Sequence, residues 1–122
     1  MYSPPLLDHF EHPRHAGSLE NPTAAVEVAN PACGDVLRLE ARIEDGRVAA
    51  VRFRAKGCVP AIACASALAE LLHGAQLGDA ARITRAQLVA AVGGLPEAAS
   101  HASHLAMDAL HELLATNGIQ RG

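Results

Sequence analysis

The segment from Leu37 to Lys56 constrains the fold more than any other. Leu37, Leu39, Ala41 and Ile43 alternate with Arg38, Glu40, Arg42 and Glu44, the period of two of a half-buried strand. Asp45-Gly46 follows, a strong hairpin signal because a type I′ turn needs positive φ at both central positions. Val51, Phe53 and Ala55 then alternate with Arg52, Arg54 and Lys56. Antiparallel pairing across this turn brings Pro31-Ala32-Cys33-Gly34-Asp35 beside Gly57-Cys58, so two thiols and a carboxylate meet at one end of a small sheet.

On either side the pattern changes. Leu6 to His12 reads as a short amphipathic segment stopped by Pro13, and residues 14–24 as a loop. Val26 to Val28 suit a short first strand. After Cys58 the period becomes helical, with Pro60 suited to a first turn and Gly74 to a stop. Ala61, Cys64, Leu68, Leu71 and Leu72 form one apolar stripe. Thr84-x-x-Gln87 is a capping-box pattern opening a helix through Val92, which Gly93-Gly94-Leu95-Pro96 breaks. A last helix is predicted from about Glu97 to Thr116, with Gly118 beyond it and Ala102, Ala106, Ala109, Leu110, Leu113 and Leu114 on its apolar face. This order predicts an α+β fold with helices packed on an antiparallel sheet. With no repeat or linker visible, residues 1–122 read as a single domain.

Composition narrows the function classes. The formal charge is −3 without a long run of either sign, which argues against nucleic acid or an anionic membrane as the main partner. No apolar stretch approaches the ~20 residues of a membrane span. Asp8, His9 and Glu11 stand where a signal peptide would be apolar. Three cysteines without signs of secretion read as ligands or reactive thiols rather than disulfides. The expectation is a cytoplasmic protein.

Cys33, Asp35 and Cys58 are the leading candidates for chemistry. Thiolates bind Zn²⁺, Fe²⁺ and cluster iron, and a carboxylate among them makes a site more labile than all-thiolate ligation. Gly34 and Gly57 let the backbone turn beside them. His101, near a helix start, is a candidate fourth ligand because the dipole there disfavours imidazolium. His101, His104, Asp108 and His111 share an arc of roughly 80° at 100° per residue, read as an ordinary solvated face. Cys64, in register with Leu68 and Leu71, reads as core.

Leu7-Asp8-His9-Phe10-Glu11-His12-Pro13-Arg14, Pro31-Ala32-Cys33-Gly34-Asp35, Gly57-Cys58 with Ala61-Ile62-Ala63, and Ser100-His101-Ala102-Ser103 resemble the IscU/NifU-type iron–sulfur cluster scaffold family, in order and across nearly the whole chain. The resemblance implies a three-stranded antiparallel sheet with helices packed on one face. It implies a scaffold or carrier rather than an enzyme, which takes sulfur from a cysteine desulfurase and iron from a donor. On it a [2Fe–2S] cluster is assembled and passed to apo-proteins, and Zn²⁺ or Fe²⁺ binds at the same ligands. Cys33, Asp35, Cys58 and His101 fall on the family's ligand positions, Asp35 keeping the cluster labile.

The chain also departs from the pattern. The family's third cysteine, directly after the histidine, is Ala102 here. That leaves two thiolates, a carboxylate and an imidazole, a set that suits tetrahedral Zn²⁺ or a weakly held cluster, or one shared across a homodimer. Cys58 and Cys33 become the candidates for transient persulfide. The family's chaperone-recognition segment, Leu-Pro-Pro-Val-Lys, reads Leu95-Pro96-Glu97-Ala98-Ala99, so engagement of the dedicated Hsp70-type chaperone is not predicted. The Cys-x-x-Cys domain that follows in longer NifU-type proteins is not in this sequence. Two alternatives stand beside the scaffold reading. One is a sulfur-transfer protein accepting persulfide at an exposed thiol, Cys58 foremost, with Lys56 or Arg54 lowering its pKa. The other is a zinc-bound regulatory or structural protein.

Overall fold

The computed structural model describes residues 2–117. Helix α1 (Pro4–Glu11) leads into strands β1 (Ala24–Asn30), β2 (Asp35–Glu44) and β3 (Arg47–Lys56). Helices α2 (Val59–Leu72), α3 (Leu77–Ala80), α4 (Arg85–Ala91) and α5 (Ser100–Thr116) follow, a 3₁₀ turn at Glu97–Ala99 preceding the last. The sheet is antiparallel in the order β1-β2-β3, with α2 against β3 and α5 against β1 and β2. This is the three-stranded α+β arrangement the sequence pointed to.

The β2–β3 hairpin forms as its pattern requires, Asp45 and Gly46 having φ of 54° and 72°. β3 begins at Arg47, earlier than the Val51 alternation suggests. A register shift between Arg42 and Ile43 sets Ile43 opposite Val48 and Arg42 opposite Ala50. The extra residue reverses the alternation, so Val48 and Val51 are both fully buried. β1 exceeds the Val26–Val28 core by two residues at each end, carried by pairing with β2 from Ala24↔Ala41 to Asn30↔Asp35.

Helix α2 departs from the single stripe expected of it. Ala61, Ala63, Cys64, Ala65, Ser66, Ala67, Leu68, Ala69 and Leu72 are all buried, whereas Leu71, assigned to the stripe, is only partly covered. The helix packs on β3, α1, α4 and α5, and small side chains on every face admit those neighbours. The Thr84/Gln87 capping box opens α4 as predicted. Every residue assigned to the apolar face of α5 is buried. Gly118 lies outside the described residues.

Candidate metal centre

Three separate segments build one cluster of ligand atoms. Asp35 is the first residue of β2 and Cys33 sits in the turn before it. There the Asn30 carbonyl accepts the amides of Cys33 (3.3 Å) and Gly34 (2.8 Å), and Asn30 Oδ1 accepts that of Ala32 at 3.0 Å. Cys58 follows β3 and is the N-cap residue of α2. Because Val36 pairs with Lys56, Asp35 and Cys58 are neighbours across the sheet end. The Cys58 amide donates to Asp35 Oδ1 at 3.1 Å, and its thiol to Oδ2 at 3.3 Å.

Gly57 makes that approach possible. Its φ is +145°, and a Cβ there would lie 2.6 Å from Asp35 Cγ, well inside van der Waals contact. Only glycine fits both the backbone and the carboxylate.

His101 arrives from α5, the element the sequence had no means to place. Burial of Ala102, Leu105, Ala106 and Ala109 seats that helix on β1 and β2. His101 Nε2 then stands 3.5 Å from Asp35 Oδ2 and 3.6 Å from Cys58 Sγ. Ligand atoms of Cys33, Asp35 and His101 all lie within 4.8 Å of one another. Thus all four sequence-predicted residues come together, Cys58 through its contacts with Asp35 and His101. His104, Asp108 and His111 are exposed along α5 and do not belong to that group.

Asp35 is 2% exposed. Burial pushes its carboxyl up, but hydrogen bonds from the Cys33 and Cys58 thiols and the Cys58 amide, with His101 close by, hold it below its ordinary value. The carboxylate is therefore ionised at neutral pH. For Cys58 the balance runs the other way. Burial, opposed by an Ala61 backbone hydrogen bond, and the facing Asp35 raise the thiol above its ordinary value. The lowered thiol expected from Lys56 or Arg54 is not what the fold gives. Arg54 leans instead toward Glu40, 3.8 Å away. Cys33 is exposed. Cys64 is fully buried and pushed up to about 12 by desolvation, as a core residue should be. Ala102 is 1% exposed, its Cβ turned into the core while His101 faces the ligands.

The donor set is two sulfurs, one carboxylate and one imidazole, which suits Zn²⁺ or thiolate-bound iron. Two open grooves reach it. One, of about 260 Å³, is lined by Tyr2, Cys58, Pro60, Pro96 and His101. The other, of about 340 Å³, runs along Asn30, Pro31, His101, His104 and Asp108.

A polar link between α1 and α2 was not read from the sequence. His9 Nδ1 lies 2.8 Å from Ser66 Oγ, which also accepts the Arg14 amide at 2.8 Å. Arg14 in turn pairs with Asp8 at 2.5 Å. These contacts fasten α1 and its exit to α2. The signal for them was Ser66, the one hydroxyl of α2, a helix whose only charged residue is Glu70.

A family model described as NifU-like N terminal domain matches residues 1–117. The chain is 38% identical over 114 residues to the iron–sulfur cluster assembly scaffold protein IscU 1 of Archaeoglobus fulgidus, covering 93% of this chain and 74% of that protein. It is 35% identical over 112 residues to the scaffold protein IscU of Aquifex aeolicus, covering 90% and 71%. The solved N-terminal part of a nitrogen-fixing NifU-like protein from Brucella abortus superposes with a TM-score of 0.78 at 18% identity, over 93% of this chain and 91% of that one. The chain belongs to the NifU-like N-terminal domain family.

Proposed function

We propose that this chain is a carrier on which an iron–sulfur cluster of the [2Fe–2S] type is assembled and from which it is handed to apo-proteins. Cys33, Asp35, Cys58 and His101 hold the iron. One observation carries this reading: thiol, carboxylate and imidazole atoms from three distant segments converge within 4.8 Å in a chain of this family. The chemistry of the set favours a transient cargo. Two thiolates bind cluster iron, while a carboxylate in place of a further thiolate weakens the hold. Zn²⁺ suits the same four residues and would occupy them in competition with iron.

Sulfur would come as persulfide from a cysteine desulfurase. Cys33 is the exposed thiol of the site and is the acceptor this reading favours; Cys58 is half-buried with its thiol committed to Asp35. The whole chain is proposed to act as one carrier unit rather than as an enzyme. Among the described residues no helix is long and apolar enough to cross a membrane.

The test is anaerobic reconstitution with Fe²⁺, a cysteine desulfurase, cysteine and a thiol reductant that takes the persulfide sulfur to sulfide, reading iron, acid-labile sulfide and the visible spectrum. A [2Fe–2S] spectrum is expected, more persistent in Asp35→Ala. Retained zinc with no labile sulfide would refute the reading.

A further inference from the structure

Helix α5 meets solvent along one line over its first three turns. Between positions 101 and 111 only His101, His104, Asp108 and His111 are not buried, the rest seating the helix on the sheet and on α2. A solvated helix face asks only for polar side chains. Here all four are metal-ligand types, and no Lys or Arg occurs in the helix to neutralise Asp108.

Two of these side chains continue the metal centre outward. The groove of about 340 Å³ that reaches His101 is lined on its α5 side by His104 and Asp108, and on the other side by Asn30 and Pro31, which lead into the turn that carries Cys33. His101 and His104 are three residues apart, and His104 and Asp108 four. At both spacings helical side chains are neighbours, with Cβ atoms about 5–6 Å apart. The groove thus carries an unbroken ladder of donors, from Asp108 through His104 to His101 at the centre. His111, three residues beyond Asp108, does not line it.

We propose that His104 and Asp108 form a second divalent-metal site, a staging site from which a first-row cation such as Fe²⁺ moves to His101 and into the centre. An imidazole nitrogen and a carboxylate oxygen both suit such a cation, and water completes its coordination. Two protein donors without a thiolate, against four donors at the centre, make this the weaker and faster-exchanging of the two sites. Transfer is ligand exchange alone: His101 replaces a bound water, Asp108 and His104 let go, and the metal keeps its charge and its electrons. The staging role rests on the carrier reading; the binding of the cation does not.

The test starts from zinc-loaded, ¹⁵N-labelled protein, so that the centre is already filled. Mn²⁺ is then titrated and its paramagnetic broadening of amide signals followed. Broadening is expected to centre on Ala29, Asn30, His104, Leu105 and Asp108, around the groove. The double variant His104→Ala/Asp108→Asn is expected to weaken Mn²⁺ binding by ~10-fold or more and His111→Ala to leave it within about twofold. Asp108→Asn alone serves if the double variant loses its dispersed spectrum. A second arm mixes apo-protein with limiting Co²⁺ and follows the thiolate-to-cobalt absorption of the centre by stopped flow. Uptake is expected to slow by ~10-fold in the double variant, with the equilibrium affinity of the centre unchanged. Broadening that is absent, centred elsewhere, retained in the double variant or lost equally in His111→Ala would overturn the site. Unchanged uptake, or slowing matched by an equal loss of equilibrium affinity, would overturn its staging role. Both arms read metal without sulfide, so a failure of cluster assembly would count against the carrier reading alone.

Discussion

Replacing Gly57 by alanine probes the joint between fold and site. The backbone there sits at φ +145°, where an L-residue costs about 1–3 kcal/mol. The added Cβ also meets Asp35 at its Cγ and Cβ, 2.6 and 3.0 Å away. The carboxylate must move, and it gives up the hydrogen bond from the Cys58 amide. A hydrogen bond to a charged group contributes about 1.5–3 kcal/mol. Together the loss is about 3 kcal/mol or more, against a total of about 5–15 kcal/mol for a domain. Gly34 provides the contrast. Its φ is +76° with nothing within 4 Å of a Cβ, so Gly34→Ala carries only left-handed strain, about 1–2 kcal/mol. Urea unfolding of the apo-proteins at pH 7 measures both differences, and zinc titration follows Asp35. Gly57→Ala should be the less stable variant and bind zinc more weakly than wild type. A Gly57→Ala protein no less stable than Gly34→Ala, with zinc affinity unchanged, would refute the reasoning.

Other outcomes follow from the same geometry. Ser66→Ala leaves the Arg14 amide and His9 Nδ1 without their shared partner, and should lower stability by about 1–3 kcal/mol in urea unfolding. Burial and Arg14 hold His9 below its ordinary 6.5, and burial and His73 do the same for His15. The unfolded chain then binds more protons below pH 6.5, so stability should fall as pH drops through that value. A further decline is expected below 4.5, where the unfolded chain takes up a proton at Glu40 that the folded chain, with the carboxylate held low by the Leu19 amide and Arg38, does not; apo-protein melting across pH 3–8 reads both. Iodoacetamide at pH 8 should label Cys33 first and spare Cys64 until unfolding, because Cys64 is buried and its thiol pushed up to about 12. Peptide mass mapping follows each site.

What the sequence revealed was what local physics decides. The β2–β3 hairpin was legible because alternation and Asp45-Gly46 agree, and it placed Asp35 beside Cys58 without any tertiary information. The capping box at Thr84 and Gln87 was legible for the same reason. The features that escaped are those made by long-range packing. β1 is lengthened by its partner, because Ala24, Ala25 and Ala29 carry little strand preference of their own. α3 is four residues long and is held by the Leu77 amide donating to the Gly46 carbonyl, a contact no periodicity announces. The all-round burial of α2 was written in its alanines, but one stripe of larger residues drew the eye. His101 was recognisable as a ligand type and its approach to Asp35 was not, since α5 finds the sheet only through the burial of Ala102, Leu105 and Ala106. The effect of Arg54 and Lys56 was misjudged because sequence proximity to Cys58 is not contact; both extend across the outer face of the sheet.

X-ray absorption at the zinc edge, on protein loaded with one equivalent, tests the central claim most directly: that these four side chains form one centre. The account predicts a shell of two sulfurs at ~2.3 Å and two nitrogen or oxygen atoms at ~2.0–2.1 Å. One sulfur should be lost in Cys33→Ala and one in Cys58→Ala, and the light-atom shell should change in Asp35→Ala and His101→Ala. A shell of nitrogen and oxygen alone, or a spectrum indifferent to these four substitutions, would contradict it.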